Sequence, residues 1–377
     1  MIYFNNAATS YPKPPEVIEA MREELEHPPA NPHRDHVTVP SASARCRSRL
    51  AKLFHTPDPN RIILCSGGTE ALNLAVNGLI RDRSHVVTTS LEHNAVLRPL
   101  YHLKDQGRID LDILPLNVAK GISHDDLSAA LRPDTSLVVI NHASNVSGLV
   151  VDLKPIYEIC HRRRIPLLID ASQSAGSVEI VIADMPWAVI AFTGHKSLLG
   201  PPGTGGLAVG DSVDLKLWKL GGTGINSESP SMPDIWPMKY EPGTLNHPGF
   251  AGLAASIEYI LKRGIPYFIN EKNHLVERLE KGLAGISGIT VYSPPNRKNP
   301  CGVVSFTLDG WSPREVGYIL RESFDIRVRT GLHCAPLIHE ALGVYPDGTI
   351  RVSFSGFNTK DEVDYLLEAI STIRGKQ

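Results

Sequence analysis

Five short apolar runs, at residues 62–64, 86–87, 137–140, 166–169 and 188–192, alternate for the most part with longer stretches of helical pattern. That rhythm constrains the fold more than any other feature of the chain. It implies an α/β architecture in which helices pack on both faces of a largely parallel sheet. In such sheets ligands bind in the loops beyond the carboxyl ends of the strands, so the residues that follow each run are the candidate site.

The flanking segments extend this picture. Val17, Ile18, Met21 and Leu25 recur at helical spacing after Pro14-Pro15 and predict an amphipathic helix. The Gly- and Pro-rich stretch 200–206 predicts a tight turn, and 221–244 reads as a long irregular excursion of the kind that serves a site or an interface. A helix over 249–262 then leads outward, and strands near 303–308, 326–329 and 350–354 predict a second, smaller α/β unit. With 377 residues, 42% of them hydrophobic, the chain exceeds the usual size of one compact domain.

Charge and cysteine usage exclude several function classes. Lys and Arg total 38 against 40 Asp and Glu, so no long-range field recruits nucleic acid or an anionic membrane. The one basic cluster, His161-Arg162-Arg163-Arg164, fits a helix C-terminus. The N-terminus lacks a basic stretch followed by an apolar region, and no apolar run reaches membrane-spanning length, which predicts a cytoplasmic protein. Cys46, Cys65, Cys160, Cys301 and Cys334 form no CxxC pair, so free thiols are expected. No set of metal ligands is evident; His33 and His36 lack further partners.

Two of the strand-end segments carry chemistry. The run 166–169 closes on Asp170, and 188–192 closes on Thr193-Gly194-His195-Lys196. A carboxylate and a lysine at the ends of neighbouring strands can hold pyridoxal 5'-phosphate (PLP), the lysine bonding to the aldehyde carbon and the aspartate pairing with the pyridinium nitrogen. Ser66-Gly67-Gly68-Thr69-Glu70 follows a strand and opens a helix, so its backbone N–H groups and the Thr69 hydroxyl would face an anion such as the PLP phosphate. A Gly-Gly turn is common by itself. Together with Lys196 it becomes a cofactor constellation.

Asp170-Ala171-Ser172-Gln173 and Thr193-Gly194-His195-Lys196 resemble the cofactor motifs of class V aminotransferases, within the PLP-dependent transferases of fold type I. Arg329-Thr330-Gly331-Leu332-His333-Cys334-Ala335 resembles the nucleophile loop of group II cysteine desulfurases, the branch shared with selenocysteine lyases. The likeness runs from Asn5-Asn6-Ala7-Ala8-Thr9 to Asn358-Thr359. It implies a mostly parallel seven-stranded sheet between helices in a large PLP-binding domain, residues 15–260. An N-terminal arm, 1–14, would join a small C-terminal α/β domain, 261–377, that carries the nucleophile loop.

The resemblance also implies roles. Gly68, Thr69, Thr193 and His195 serve the phosphate, His93 stacks on the pyridine ring as part of the catalytic set, Gln173 donates to the phenolic oxygen, and Asn145 lies beside cofactor and substrate. Thr244, in Glu241-Pro242-Gly243-Thr244-Leu245-Asn246, would reach the partner's phosphate in a homodimer with composite sites. Arg351 would grip the substrate carboxylate with a planar fork of donors, with Arg329 and His33 also at the substrate. Cys334, flanked by Arg329 and His333, gains thiolate character from nearby positive charge.

The implied activity is a cysteine desulfurase. It converts L-cysteine to L-alanine, leaving a persulfide on Cys334 for an unidentified sulfur-acceptor protein. L-Selenocysteine is the alternative substrate, as in a selenocysteine lyase. Further alternatives are an aminotransferase or carbon–sulfur lyase that does not need Cys334, and a non-catalytic PLP-binding subunit. One departure stands out: Leu332 occupies a position that is often histidine in group II desulfurases.

Overall fold

The computed structural model describes residues 1–27, 40–116, 121–294 and 299–375. An arm bearing strand β1 (Ile2–Tyr3) leads to helices α1 (Pro15–Glu26) and α2 (Ala42–Leu53). The alternation expected from the sequence then follows: β2 (Ile62–Cys65), α3 (Gly68–Leu79), β3 (Ser84–Thr89), α4 (Asn94–Asp105), β4 (Ile109–Leu114), α5 (His124–Ala130), β5 (Thr135–Asn141), α6 (Leu153–Arg162), β6 (Leu167–Asp170), β7 (Ala188–Thr193) and β8 (Gly205–Val209). These strands form one seven-stranded sheet in the order β2-β8-β7-β6-β5-β3-β4. It is parallel except at β8, which runs antiparallel to both β7 and β2.

Successive residues of the central strands feed different cores, as the two-residue period of a strand requires. Val138, Ile140, Leu167, Ile169, Ile190 and Phe192 pack on one face with Ile156 of α6. Leu137, Val139, Leu168, Val189 and Ala191 pack on the other with Leu72 of α3 and Leu100 of α4. Each of the Val, Leu, Ile and Phe side chains contributes about 1.5–3 kcal/mol of burial. These cores fix the strand ends, and with them Asn141, Asp170 and Thr193, the last residues of β5, β6 and β7.

Helix α7 (His247–Arg263) packs back onto α1 and α2. Beyond it come α8 (Ile265–Ala284), β9 (Ile289–Val291), β10 (Val303–Leu308), α9 (Pro313–Phe324), β11 (Ile326–Arg327), β12 (Arg329–Gly331), α10 (Pro336–Ala341), β13 (Thr349–Ser353) and α11 (Lys360–Arg374). An antiparallel sheet, β12-β13-β10-β9, builds a third core with α8, α9 and α11. β1 pairs in parallel with β11 and brings Phe4 into that core. Among the described residues no helix is long and apolar enough to cross a membrane.

Three local expectations are corrected. The Gly-rich stretch 200–206 is a turn only in part, since Gly205 and Gly206 begin β8. A Cβ at Gly205 would lie 2.7 Å from Gly67 Cα and one at Gly206 would run into the Ile63 carbonyl, so these glycines permit close backbone approach. Of the expected inner face of α1, Val17 is buried but Ile18 and Leu25 are 63% and 71% exposed. The strand expected at 326–329 is split, because β1 claims Ile326 and Arg327 while β13 claims Arg329 onward. That competition comes from the far end of the chain and has no local signal.

Candidate active site

The loops after β2, β3, β5, β6 and β7 surround a cavity of about 360 Å³. Its walls include Gly68, Thr69, His93, Asn145, Asp170, Gln173, Thr193, His195, Lys196, Arg329 and Arg351, so the structure brings together eleven of the fourteen residues singled out from sequence. Cys334 is not in the wall, but its Sγ accepts a hydrogen bond from Arg329 Nη2 at 3.1 Å. Thr244 is exposed and away from the cavity of its own chain. His33 lies outside the described residues.

The strand-end loops hold these groups by local hydrogen bonds. Asp170 Oδ1 accepts from Ser172 N at 2.9 Å, which aims the carboxylate from the end of β6. His93 caps α4, its Nδ1 accepting from Ala95 N at 3.0 Å. Gln173 Nε2 donates to the Ala7 carbonyl at 2.9 Å, leaving one amide hydrogen for the cavity. Asn145 Nδ2 donates to the His333 carbonyl at 2.8 Å. At the head of α3, Gly67 supplies no side-chain cap, so the first N–H groups of the helix open toward the cavity. The acidic neighbour Glu70 is occupied elsewhere, by Ser66 N at 2.7 Å and Lys219 Nζ at 2.9 Å.

Electrostatics separate the cavity into two sides. Burial brings the Lys196 amine down to about 8, with Arg351 and Arg329 pushing the same way and Asp170 opposing. Its side chain is partly open to the cavity, while protein surrounds the amine. Burial, reinforced by Lys196, likewise holds His93 and His195 near 4, so both rings are neutral at physiological pH. A neutral His93 keeps Nδ1 free to accept the Ala95 N–H. Arg351, with 0% exposure, is pushed down to about 9 by burial and by Arg329, yet remains a cation at neutral pH.

The loop from β12 to α10 is tightly constrained. Gly331, His333 and Cys334 have φ of 95°, 49° and 60°, three left-handed residues of which two carry side chains. Asn94 N donates to the Cys334 carbonyl at 2.7 Å, Asn145 holds the His333 carbonyl, and Ala335 N donates to the Leu332 carbonyl at 2.8 Å. The expected contribution of His333 to the charge at Cys334 is corrected here. Its ring turns inward to Thr349 Oγ1 at 2.9 Å, and burial beside Arg351 keeps it well below the usual histidine range and uncharged. Arg329 is the cation at the sulfur.

Cofactor fit can be judged from unpaired polar atoms. Asn141 Oδ1, Asn145 Oδ1, His195 Nδ1 and Arg351 Nε belong to cavity-lining residues and are buried without a partner. Together with the uncapped helix head, and with Asp170 and Lys196 in the same cavity wall, they suit a small polar ligand with an anionic end. The residues therefore fit PLP. Sequence reasoning passed over Asn5, Asn141 and Glu92. Glu92 Oε1 accepts from Thr89 Oγ1 and Asn141 N, both at 2.8 Å, tying β3 to β5 behind the cavity.

Comparison with known proteins agrees with this geometry. The profile of the aminotransferase class-V family matches residues 2–366. A probable cysteine desulfurase of Methanothermobacter thermautotrophicus is 32% identical over 380 residues, spanning 98% of this chain and 94% of that protein. The apo structure of a cysteine desulfurase from Thermococcus onnurineus NA1 superposes with a TM-score of 0.89 at 29% identity, covering 100% of this chain and 95% of that one. The crystal structure of an Escherichia coli cysteine desulfurase in an S-sulfonic acid form gives 0.88 at 26% identity over 98% and 94%.

Proposed function

The chain belongs to the aminotransferase class-V family as a PLP-dependent cysteine desulfurase, and we propose that Cys334 carries the sulfur it removes from L-cysteine. The observation that supports this most directly is the grouping of Asp170 and Lys196 at adjacent strand ends with two arginines, one of which holds the Cys334 thiol.

When bound, PLP supplies an electron sink for charge developing at the substrate α-carbon. Asp170 would pair with the ring nitrogen, and Gly68, Thr69, Thr193 and His195 would hold the phosphate. Arg351 binds the amino-acid carboxylate. The Lys196 amine, brought down to about 8, can take and return a proton near neutral pH. Cys334 Sγ then forms an S–S bond to the substrate sulfur as the substrate C–S bond breaks, and the carbon left behind is protonated to give alanine. Arg329 orients Sγ for that attack.

The same reading assigns residues 15–260 to the cofactor-binding domain, and 1–14 with 261–377 to the arm and small domain. It includes a cytoplasmic homodimer, Thr244 acting in the partner's site, His33 near the substrate and a protein acceptor for the persulfide. Incubation with L-cysteine should release alanine and add one sulfur to the Cys334 peptide. Cys334→Ser should retain PLP yet lose nearly all alanine formation. Unchanged alanine production in Cys334→Ser would sink the persulfide assignment and favour a lyase without a protein nucleophile.

A further inference from the structure

Arg351 sits at 0% exposure with only neutral partners. Its Nη1 donates to the Asn145 carbonyl at 3.0 Å and its Nη2 to Asn5 Oδ1 at 3.1 Å. Among the described residues no carboxylate pairs with it, and its Nε is buried without a partner. Two of the five N–H donors of a guanidinium are thus used, which leaves three. A buried cation left in this state is costly unless an anion joins it.

Asn5 stands behind the cavity wall. It is held through a backbone bridge to Ser353, two residues along β13 from Arg351. Its amide oxygen orients the guanidinium plane without neutralising it. An aspartate has the same shape but would add a permanent internal carboxylate at the same distance.

We infer that Asn5 is a positioning residue whose neutrality reserves the charge of Arg351 for the carboxylate of an incoming amino acid, so that position 5 sets how strongly the pocket selects amino acids over simple amines. This rests on Arg351 being the carboxylate site of the reading above. It does not rest on sulfur transfer.

The test uses Asn5→Asp in the PLP-loaded protein, with binding of L-alanine and of ethylamine followed by the change in cofactor absorbance. An ion-paired Arg351 should weaken L-alanine binding by roughly 10- to 100-fold while leaving ethylamine within about twofold, because only alanine presents a carboxylate. In L-cysteine turnover the effect should fall on KM far more than on kcat. The cofactor-free variant should also melt higher than the wild type, since its buried cation gains a partner. Asn5→Ala removes the orienting acceptor without adding charge, so it should weaken alanine binding by less than Asn5→Asp. Equal weakening of both ligands, together with a lower melting midpoint, would mark position 5 as structural and overturn the inference, as would unchanged alanine affinity in Asn5→Asp. Should the wild type make no alanine from cysteine, the desulfurase reading fails while the alanine-against-ethylamine comparison still decides the role of Asn5.

Discussion

Arg329 and Arg351 are register partners on adjacent antiparallel strands, two guanidiniums set side by side with no carboxylate bound to either among the described residues. Like charges directly opposite one another destabilise a sheet by about 0.2–1 kcal/mol. Arg329→Gln should therefore raise the unfolding free energy of the cofactor-free protein by about that amount. It should also slow alanine formation by at least about tenfold, because Cys334 Sγ loses its charged donor. Denaturant unfolding and initial rates check the two halves. An equally active variant would show that Arg329 does not orient the thiol.

Lys196 gives a pH dependence with a definite sign. Its amine titrates near 8 in the folded cofactor-free protein and near 10.5 when unfolded, so the unfolded chain binds the extra proton between these values. The folding penalty is full below pH 8 and disappears as pH rises to 10.5. Lys196→Met should melt a few degrees higher than wild type at pH 7, and the gap should close between pH 8 and 10.5. A gap that does not change with pH would rule out titration as its source. In the loaded wild type, borohydride reduction followed by peptide mapping should place the pyridoxyl group on Lys196.

Glu92 behaves in the opposite sense. Burial pushes its carboxyl up to about 8, against 4.5 for an exposed group, so the folded protein keeps a proton that the unfolded chain loses. Its contribution is intact below pH 4.5 and is lost as pH climbs through 8. Glu92→Gln preserves the shape and cannot ionise. It should match wild type in melting near pH 4, with a gap that opens between pH 4.5 and 8 and leaves the variant melting higher at pH 9. A variant less stable than wild type at pH 9 would mean that the native carboxyl is ionised and paired.

Thr244 tests the shared site. It is exposed and off the cavity of its own chain, in an excursion anchored where Glu241 Oε1 accepts from Leu64 N at 2.6 Å. Mixing Lys196→Ala chains with Thr244→Ala chains should restore activity in verified mixed dimers if Thr244 acts in trans, since one site then carries both defects and the other none. If no activity returns, the composite site is refuted.

The alternation of apolar runs with helical segments determined the sheet and its helical layers, because strand and helix periodicities are local properties of a chain. Asp170 and Lys196 were legible for the same reason: each ends a buried run, and such sheets bind ligands at the carboxyl ends of their strands. β4 and β8 were less visible, the first because Asp110 and Asp112 interrupt its apolar residues and the second because its glycines resemble a turn. Tertiary structure alone decided the charge pattern of the site. The inward turn and neutrality of His333 follow from its contact with Thr349 and the nearby Arg351, and the neutral seat of Arg351 follows from Asn5, at the opposite end of the chain. Ionisation depends on burial and on which charges lie within a few ångströms, and residues 5 and 351 become neighbours only when β1 joins β11 beside the small sheet.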